Sequence, residues 1–234
     1  MVDSRDNPAW WNHQRHPLLR LRRQIARELA TLPAFRPGDV AVDLGCGDMP
    51  YRSMIEASGA RYVGCDIDTA APVPIRPGEP VPLGDGSARL VASFQVLEHV
   101  WDLGWYLGES RRLLVPDGRL LLSTHGVWLY HPHPTDFRRW TADGLTREIE
   151  SHGFEVERIT GLVGPLAWTT QFRLLGYREV LRRIPLLGAL LTPLLSIVMN
   201  LRMALEDAIT PASIRHDNAS VYVVVARPTT RPPV

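Results

Sequence analysis

The segment HPHPTDFRRW (residues 131–140) contains two histidines, an aspartate and two arginines. The imidazoles of His131 and His133 could take a proton from a substrate or bind a metal ion. Asp136 could add an oxygen ligand to a metal, or it could pair with Arg138 or Arg139 and hold the loop. Three alternatives therefore remain open: a metal site, a substrate contact and a structural loop. The metal site is the least favoured, because one residue separates the histidines and no cysteine pair lies nearby.

A glycine-containing turn follows the short apolar stretch at residues 40–45 and reads VDLGCGDMPYR (42–52). Gly45 and Gly47 are typical of a tight passage from a strand to a helix. A dinucleotide would place its pyrophosphate at the start of that helix, where the carboxylate of Asp43 would repel it. S-adenosylmethionine carries an ammonium and a sulfonium instead of phosphates. Asp43 therefore favours that cofactor, and a turn without a ligand is the alternative.

Two further acidic residues follow at spacings that fit a nucleoside. Asp66 ends the next predicted strand, and its two oxygens suit a ribose diol; a helix cap or a turn is the alternative. Asp85, in GDGSA (84–88), is expected to accept a hydrogen bond from the adenine amine, with Gly86 allowing the backbone to approach the ring. The alternative for Asp85 is a simple Gly-Asp-Gly turn.

Strands and helices alternate along the chain. Hydrophobic periodicity predicts strands at 40–45, 60–68, 88–94, 118–125, 154–161 and 219–227, a short strand near Val81, and helices at 18–32, 50–59, 102–116, 141–153 and within 166–209. This alternation predicts a parallel, doubly wound sheet, in which ligands bind beyond the carboxyl ends of the strands.

In order and spacing, VDLGCG, YVGCDID, GDGSARLVASFQVLEHV and LLVPDGRLLLSTHG resemble the successive motifs of class I S-adenosylmethionine-dependent methyltransferases, in particular the methyltransferase type 11 group. The resemblance covers about residues 36–160 and the final strand. It implies a Rossmann-like α/β fold: a seven-stranded, mostly parallel sheet with helices on both faces, an antiparallel last strand and a helical insertion before it.

The resemblance also implies S-adenosylmethionine as cofactor and S-adenosylhomocysteine as product. By this resemblance the cofactor contacts are Asp43, Gly45, Cys46 and Gly47 at the methionine end, Asp66 and Ile67 at the ribose and adenine, and Asp85 and Gly86 at the adenine. Gln95, just after the strand predicted at 88–94, would form a wall of the cofactor site. Met49 stands where the family has a third glycine, and we expect Tyr51 or Arg52 to reach the cofactor.

The family places the acceptor beyond the strand predicted at 118–125. The candidate bases for a hydroxyl acceptor are His125, His131 and His133, and the expected substrate contacts are His99, Tyr130, Asp136, Arg139 and Trp10. Methyl transfer is a direct displacement that depends on alignment and needs no Lewis acid, so we expect no metal. Structural roles are the alternative for each of these histidines.

We expect four segments: an N-terminal helical lid (1–34), a cofactor-binding core (35–161), a helical insertion (162–210) and a final strand with a tail (211–234). The aromatic stretch at 8–17 would close over the cofactor or dock onto the sheet. The insertion would form part of the acceptor pocket or a dimer face. Its segment 184–205 begins with an uncharged run, which leaves a buried helix, a homodimer contact, a membrane-surface contact and a membrane span as alternatives.

The formal net charge of +1 gives no support to nucleic acid as a partner. Two cysteines and the lack of a visible signal peptide are typical of a cytoplasmic protein. We therefore expect a cytoplasmic enzyme that methylates a small molecule, on an oxygen of a hydrophobic metabolite or of a glycan or lipid intermediate. The alternatives are a non-methylating enzyme that uses S-adenosylmethionine, for example in an intramolecular cyclisation, and a non-catalytic binding module.

Overall fold

The computed structural model describes residue 5 and residues 7–229. The outer parts of the predicted N-terminal and C-terminal segments, including the tail after residue 229, lie outside the described residues. The domain boundaries given above stay predictions.

Seven strands form one sheet in the order β3-β2-β1-β4-β5-β7-β6. They are β1 (Val40–Leu44), β2 (Arg61–Asp66), β3 (Val73–Pro74), β4 (Ala88–Phe94), β5 (Leu114–His125), β6 (Phe154–Leu162) and β7 (Val221–Pro228). The pairs among β1 to β5 are parallel, and β7 runs antiparallel between β5 and β6. The predicted fold class is confirmed.

The helices are α1 (Arg15–Thr31), α2 (Arg52–Ala57), α3 (Leu103–Leu113), α4 (Ala142–Ser151), α5 (Pro165–Leu181), α6 (Pro185–Ile209) and α7 (Ala212–Asp217), with a 3-10 turn at Leu97–His99. The predicted helix at 102–116 ends early, because the chain turns extended at Leu114 and enters β5. The short strand expected near Val81 is wrong: the strand lies at Val73–Pro74, and the Val81 amide instead donates to Glu109 Oε2 at 2.7 Å.

Two buried clusters cover the two faces of the sheet. Because successive strand residues point to opposite faces, Leu122 packs with α3 and α4, while its neighbour Leu121 packs with α1, α2, α5 and α6. The clusters fix the strands rigidly, so that side chains just beyond the strand ends are held in place.

The helical insertion is tied to α1 by a buried carboxylate. Asp207 of α6 lies 3.0 Å from Arg20 Nε and accepts a hydrogen bond from the Gly164 amide at 3.0 Å. Asn200 accepts from the His16 amide and donates to the Asn12 carbonyl, so α6 also holds the segment before α1. The N-terminal segment and the insertion therefore form one packed unit.

The opposite side of α6 is apolar and exposed. Leu186, Leu190, Leu194, Val198, Leu201, Leu205 and Ile209 are all more than half exposed. Leu186–Ile209 is also long and apolar enough to cross a membrane by length and composition, and 28% of its most apolar window is buried. We call this surface the outer face of α6.

Candidate functional site

A cavity of about 750 Å³ opens at the carboxyl ends of β1, β2, β4 and β5. This volume lies within the range of roughly 300–1,000 Å³ that is typical of small-molecule sites. The residues before and after those strand ends line it, as the parallel-sheet rule predicts. Its lining includes Asp43, Gly45, Cys46, Gly47, Tyr51, Asp66, Ile67, Gln95, His99, His125, His131 and His133.

Asp43 is the buried carboxylate of the cavity. The Tyr62 hydroxyl donates to its Oδ2 at 2.7 Å, whereas Oδ1 has no hydrogen-bond partner among the described residues. Burial raises the pKa of Asp43 to about 7, and the Tyr62 hydrogen bond opposes that rise. A buried carboxylate oxygen without a donor suits a cationic ligand, as the ammonium of S-adenosylmethionine would be.

The glycine turn after β1 has the conformation that its sequence predicts. Gly45 adopts φ +80° and Gly47 φ +50°, and a Cβ at Gly45 would lie 2.5 Å from a methyl carbon of Val96. Met49 is also left-handed at φ +54°, so the turn keeps the backbone shape usually given by a third glycine. Tyr51 packs edge-on against Phe94 and lines the cavity.

The residues expected at the nucleoside end converge on the same cavity. Asp66 accepts from the Gly47 amide at 2.8 Å and from the Asp68 amide at 3.1 Å, which fixes the carboxylate beside the glycine turn. Ile67 is half exposed on the cavity wall. Gln95 has φ +58° and donates to Ser123 Oγ at 3.0 Å, so its side chain is held toward β5.

Asp85 and Gly86 do not line the cavity. Both precede β4 and therefore lie at the amino edge of the sheet, opposite the carboxyl ends that form the site. Asp85 is an exposed carboxylate bound to Arg112, and the Gly86 amide donates to the Arg112 carbonyl. The expected adenine contact at these residues is wrong, and the turn alternative describes them. Pro77 and Gly78 line the cavity instead.

Three histidines cluster at the end of the cavity near β5, where the sequence predicts the acceptor, and we call this the acceptor end. The ring centroid of His131 lies 4.8 Å from that of His125 and 5.0 Å from that of His99. His133 lies further out, 6.4 Å from His131, and is exposed. Burial lowers the pKa of His125 well below its ordinary value and also lowers the pKa of His131. Both rings are therefore neutral near pH 7.

Glu98 lies beneath these histidines, and the sequence interpretation overlooked it. Its side chain is fully buried, and burial raises its pKa to about 7. Oε2 accepts from the Thr124 hydroxyl at 2.8 Å, and Oε1 has no hydrogen-bond partner among the described residues. The signal in the sequence was its position one residue before His99, just beyond β4.

Asp136 and Arg139 support the loop and do not line the cavity. Arg139 donates through Nη2 to Asp136 Oδ2 at 2.6 Å, and further to the carbonyls of Trp128 and Leu129. Asp136 also accepts from the His131 amide at 2.9 Å. The Arg139 hydrogen bonds hold the pKa of Asp136 well below its usual range. The predicted substrate contact by Asp136 and Arg139 is replaced by an ion pair that positions His131.

Tyr130 and Trp10 were also expected at the substrate, and neither lines the cavity. Tyr130 is 76% exposed, and Trp10 is 63% exposed with the Arg15 guanidinium 4.0 Å from its ring centroid. Among the described residues before the core, Arg5, Gln14, Pro17, Leu18 and Leu21 line the cavity. Of the predicted lid, residues of α1 therefore line the cavity, whereas Trp10 and Trp11 do not.

Aromatic side chains that the sequence interpretation did not assign complete the acceptor end. Trp128 stacks on His125 with parallel rings 5.0 Å apart, and Phe137 lies 5.3 Å from Trp101. Trp101, Trp105, Trp128 and Phe137 all line the cavity. This wall would suit an apolar or aromatic acceptor.

Comparison with known proteins agrees with this geometry. A family profile described as a methyltransferase domain matches residues 11–159. A protein of Mycolicibacterium smegmatis, described as a probable S-adenosylmethionine-dependent methyltransferase, is 32% identical over 142 residues, covering 53% of this chain and 55% of the relative. The ubiquinone biosynthesis O-methyltransferase of Azorhizobium caulinodans is 25% identical over 189 residues, covering 67% of this chain and 73% of that relative.

A solved structure has a similar fold. The geranyl diphosphate C-methyltransferase of Streptomyces coelicolor A3(2), in complex with Mg²⁺, geranyl-S-thiolodiphosphate and S-adenosylhomocysteine, superposes with a TM-score of 0.57 at 18% identity, covering 91% of this chain and 78% of that one. The chain spans about half the length of the first curated relatives it matches. The family profile covers more than half of the chain, so the chain belongs to the S-adenosylmethionine-dependent methyltransferase domain family.

Proposed function

We propose that this chain transfers a methyl group from S-adenosylmethionine to an oxygen of a small-molecule acceptor. The observation that carries the proposal is that one cavity holds both the Asp43 carboxylate, with its unpartnered Oδ1, and a group of histidines at and near the carboxyl end of β5. The first suits the cationic end of the cofactor, and the second offers proton acceptors to a hydroxyl.

The residues at the cofactor end have separate tasks. Asp43 would bind the ammonium group, Asp66 would accept from the ribose hydroxyls, and Ile67 would cover the adenine. When bound, S-adenosylmethionine supplies the methyl group from its sulfonium, and the new oxygen–carbon bond forms as the carbon–sulfur bond breaks with its electron pair left on sulfur. The buried strand ends fix these side chains, so that the acceptor can be aligned with the methyl group.

His133 is the best placed of the three candidate bases. It lines the cavity and is exposed, so a proton taken from an acceptor hydroxyl can pass on to water. His125 is buried and stacked on Trp128, which fits a wall of the site better than proton exchange. His131 is held by its backbone bond to Asp136 between these two.

The acceptor that this proposal favours is apolar. Trp101, Trp105, Trp128 and Phe137 line the acceptor end, and the outer face of α6 adds an exposed apolar surface. Both observations support a hydrophobic metabolite, or a glycan or lipid intermediate reached at a membrane surface. Co-sedimentation with lipid vesicles would test the membrane contact, and light scattering without vesicles would test a homodimer through the same face.

The function is tested by supplying S-adenosylmethionine and candidate acceptors and analysing both products. The expected result is S-adenosylhomocysteine together with an acceptor that has gained one methyl group. Methylthioadenosine in its place would support the cyclisation alternative. Calorimetry that detects no binding of S-adenosylmethionine would overturn the proposal.

A further inference from the structure

The fully buried carboxylate Glu98 has one satisfied oxygen and one unsatisfied oxygen. Thr124 donates to Oε2, while Oε1 lies 3.4 Å from His125 Nε2 and 4.0 Å from His99 Nε2 without a hydrogen bond to either. An unpartnered charged oxygen in a buried position is costly to folding. A cation bound among these atoms would remove that cost.

The neighbouring His99 has its tautomer fixed by the backbone. Its Nδ1 is hydrogen-bonded to the carbonyl oxygen of Thr135, which can only accept. Nδ1 therefore carries the proton, and Nε2 presents a lone pair toward Glu98. A histidine whose far nitrogen donates to a backbone carbonyl is the usual arrangement of a metal ligand.

His131 completes a group of three ligands. One ring nitrogen of His131, one ring nitrogen of His99 and one oxygen of Glu98 all lie within 4.8 Å of one another. The His131 side chain is about one-quarter exposed and borders the cavity, so the group is open on the side where an acceptor would enter. The ion pair of Asp136 with Arg139 supports His131 from behind, through the His131 amide.

We propose that Glu98, His99 and His131 bind a divalent first-row transition-metal ion at the acceptor end of the cavity. Two imidazoles and one carboxylate with an open position are a ligand set suited to Zn²⁺, Mn²⁺, Co²⁺ or Fe²⁺. Mg²⁺ prefers oxygen ligands throughout and fits this set less well. His125 lies beside the group, with its Nε2 3.4 Å from Glu98 Oε1.

This site differs from the metal alternative that the sequence left open. That alternative used His131, His133 and Asp136, whereas Asp136 is committed to Arg139 and His133 lies outside the group. The competing explanation for the unpartnered oxygen is a proton shared between Glu98 and His125 across 3.4 Å. That explanation requires no ion, so a measurement of metal binding distinguishes a bound ion from a shared proton.

The consequence for catalysis rests on the proposed function. A bound ion would hold the hydroxyl oxygen of the acceptor and lower its pKa, so that the proton leaves to His133 or to water before the oxygen is methylated. The site would then favour acceptors whose hydroxyl can reach the ion.

The test is titration of the untagged, metal-free chain with Co²⁺, followed by visible absorption. The expected result is one equivalent of Co²⁺ bound with the intense absorption of a four- or five-coordinate site. We expect Glu98→Gln and His131→Ala to lose this spectrum and to bind more than about 10-fold more weakly, since even the loss of an outer-shell partner costs about 10- to 100-fold. Glu150→Gln and His152→Ala are the controls and should retain the spectrum, because both residues lie at the end of α4 and neither lines the cavity.

Binding of S-adenosylmethionine, measured on the same samples, shows that each variant is folded. If Glu98→Gln fails to fold, His131→Ala alone decides the result. Absence of one-equivalent Co²⁺ binding in the wild-type chain, or equal binding by wild type and His131→Ala, would overturn the metal site. Neither outcome bears on methyl transfer, which is read from product formation, so the two proposals fail separately.

Discussion

Tyr62 donates its hydroxyl hydrogen bond to Oδ2 of Asp43 at 2.7 Å and leaves Oδ1 of this buried carboxylate without a partner among the described residues. The two side chains project from neighbouring strands, β1 and β2, which pair in parallel. Tyr62 thus fixes the carboxylate from one side, and the other oxygen is left for a ligand. This asymmetry is the basis of the first two predictions.

Asp43→Asn is expected to weaken binding of S-adenosylmethionine by about 10- to 100-fold, because a hydrogen bond to a charged group contributes about 1.5–3 kcal/mol. Isothermal calorimetry measures the affinity. Asp85→Asn is the matched control, since Asp85 lies at the opposite edge of the sheet, and its affinity should equal that of the wild type. A loss in Asp85→Asn but not in Asp43→Asn would reverse the assignment.

The affinity for S-adenosylmethionine is expected to rise with pH through about 7, the value to which burial raises the pKa of Asp43. A cationic ligand favours the ionised carboxylate, so binding releases a proton from the fraction that is protonated, and the affinity falls as the pH drops below that pKa. Calorimetry between about pH 6 and pH 7.5 in buffers of different ionisation enthalpy detects this proton. Asp43→Asn should bind with no such dependence, and an equal slope in the variant would contradict the assignment to Asp43.

Gly45→Ala is expected to lower both stability and cofactor affinity. Its Cβ would lie 2.5 Å from a methyl carbon of Val96, and φ +80° is unfavourable for alanine. Strain of this kind costs about 1–3 kcal/mol in unfolding free energy, measured by chemical denaturation. Gly108→Ala is the matched control: it lies in α3 with open space around it, and alanine there should stabilise the helix by about 0.5–1 kcal/mol. Similar effects of the two changes would contradict the steric argument.

Much of the candidate cofactor site could be predicted because it depends on local pattern. The short apolar stretch before Gly45 predicts a strand that ends in a turn, and the spacing to Asp66 predicts a second carboxylate at the next strand end. Parallel strands bring such residues together whatever the rest of the chain does. Met49, which breaks the glycine pattern, still adopts the left-handed conformation, so the geometry of the turn is kept.

The remaining site residues depend on contacts that local pattern does not contain. Gly-Asp-Gly around Asp85 is a turn signal that reads the same at either edge of a sheet, and the structure places it at the amino edge. Glu98 is fully buried and accepts a hydrogen bond from the Thr124 hydroxyl of β5, a contact between residues far apart in the chain. Trp10 does not line the cavity, and the guanidinium of Arg15, at the start of α1, lies over its ring.

Arg139→Lys is expected to destabilise the loop that carries His131. Lysine cannot make the paired hydrogen bonds to Asp136, and we expect a loss of about 1–2 kcal/mol in unfolding free energy at pH 7. Arg139 lowers the pKa of Asp136 in the folded chain, so this stability is present above the unfolded value of about 4 and is lost as the pH falls below it. The difference in unfolding free energy between Arg139→Lys and wild type, measured by chemical denaturation, should therefore become smaller in acid. Arg147→Lys, at an exposed position on α4, is the control and should leave the unfolding free energy unchanged at every pH tested.

His133→Ala is expected to lower turnover while leaving the affinity for S-adenosylmethionine unchanged. Its ring lines the acceptor end of the cavity, 6.4 Å from that of His131 and away from Asp43 and Asp66. If His133 takes the acceptor proton, its removal should cost about 10²- to 10⁴-fold in kcat. His152→Ala, which changes a histidine at the end of α4, should keep full turnover. An acceptor that is already ionised at the assay pH should restore much of the lost rate, because it needs no base. Equal losses with ionised and neutral acceptors would instead assign His133 to acceptor binding, and a parallel loss of cofactor affinity would remove it from the acceptor side altogether.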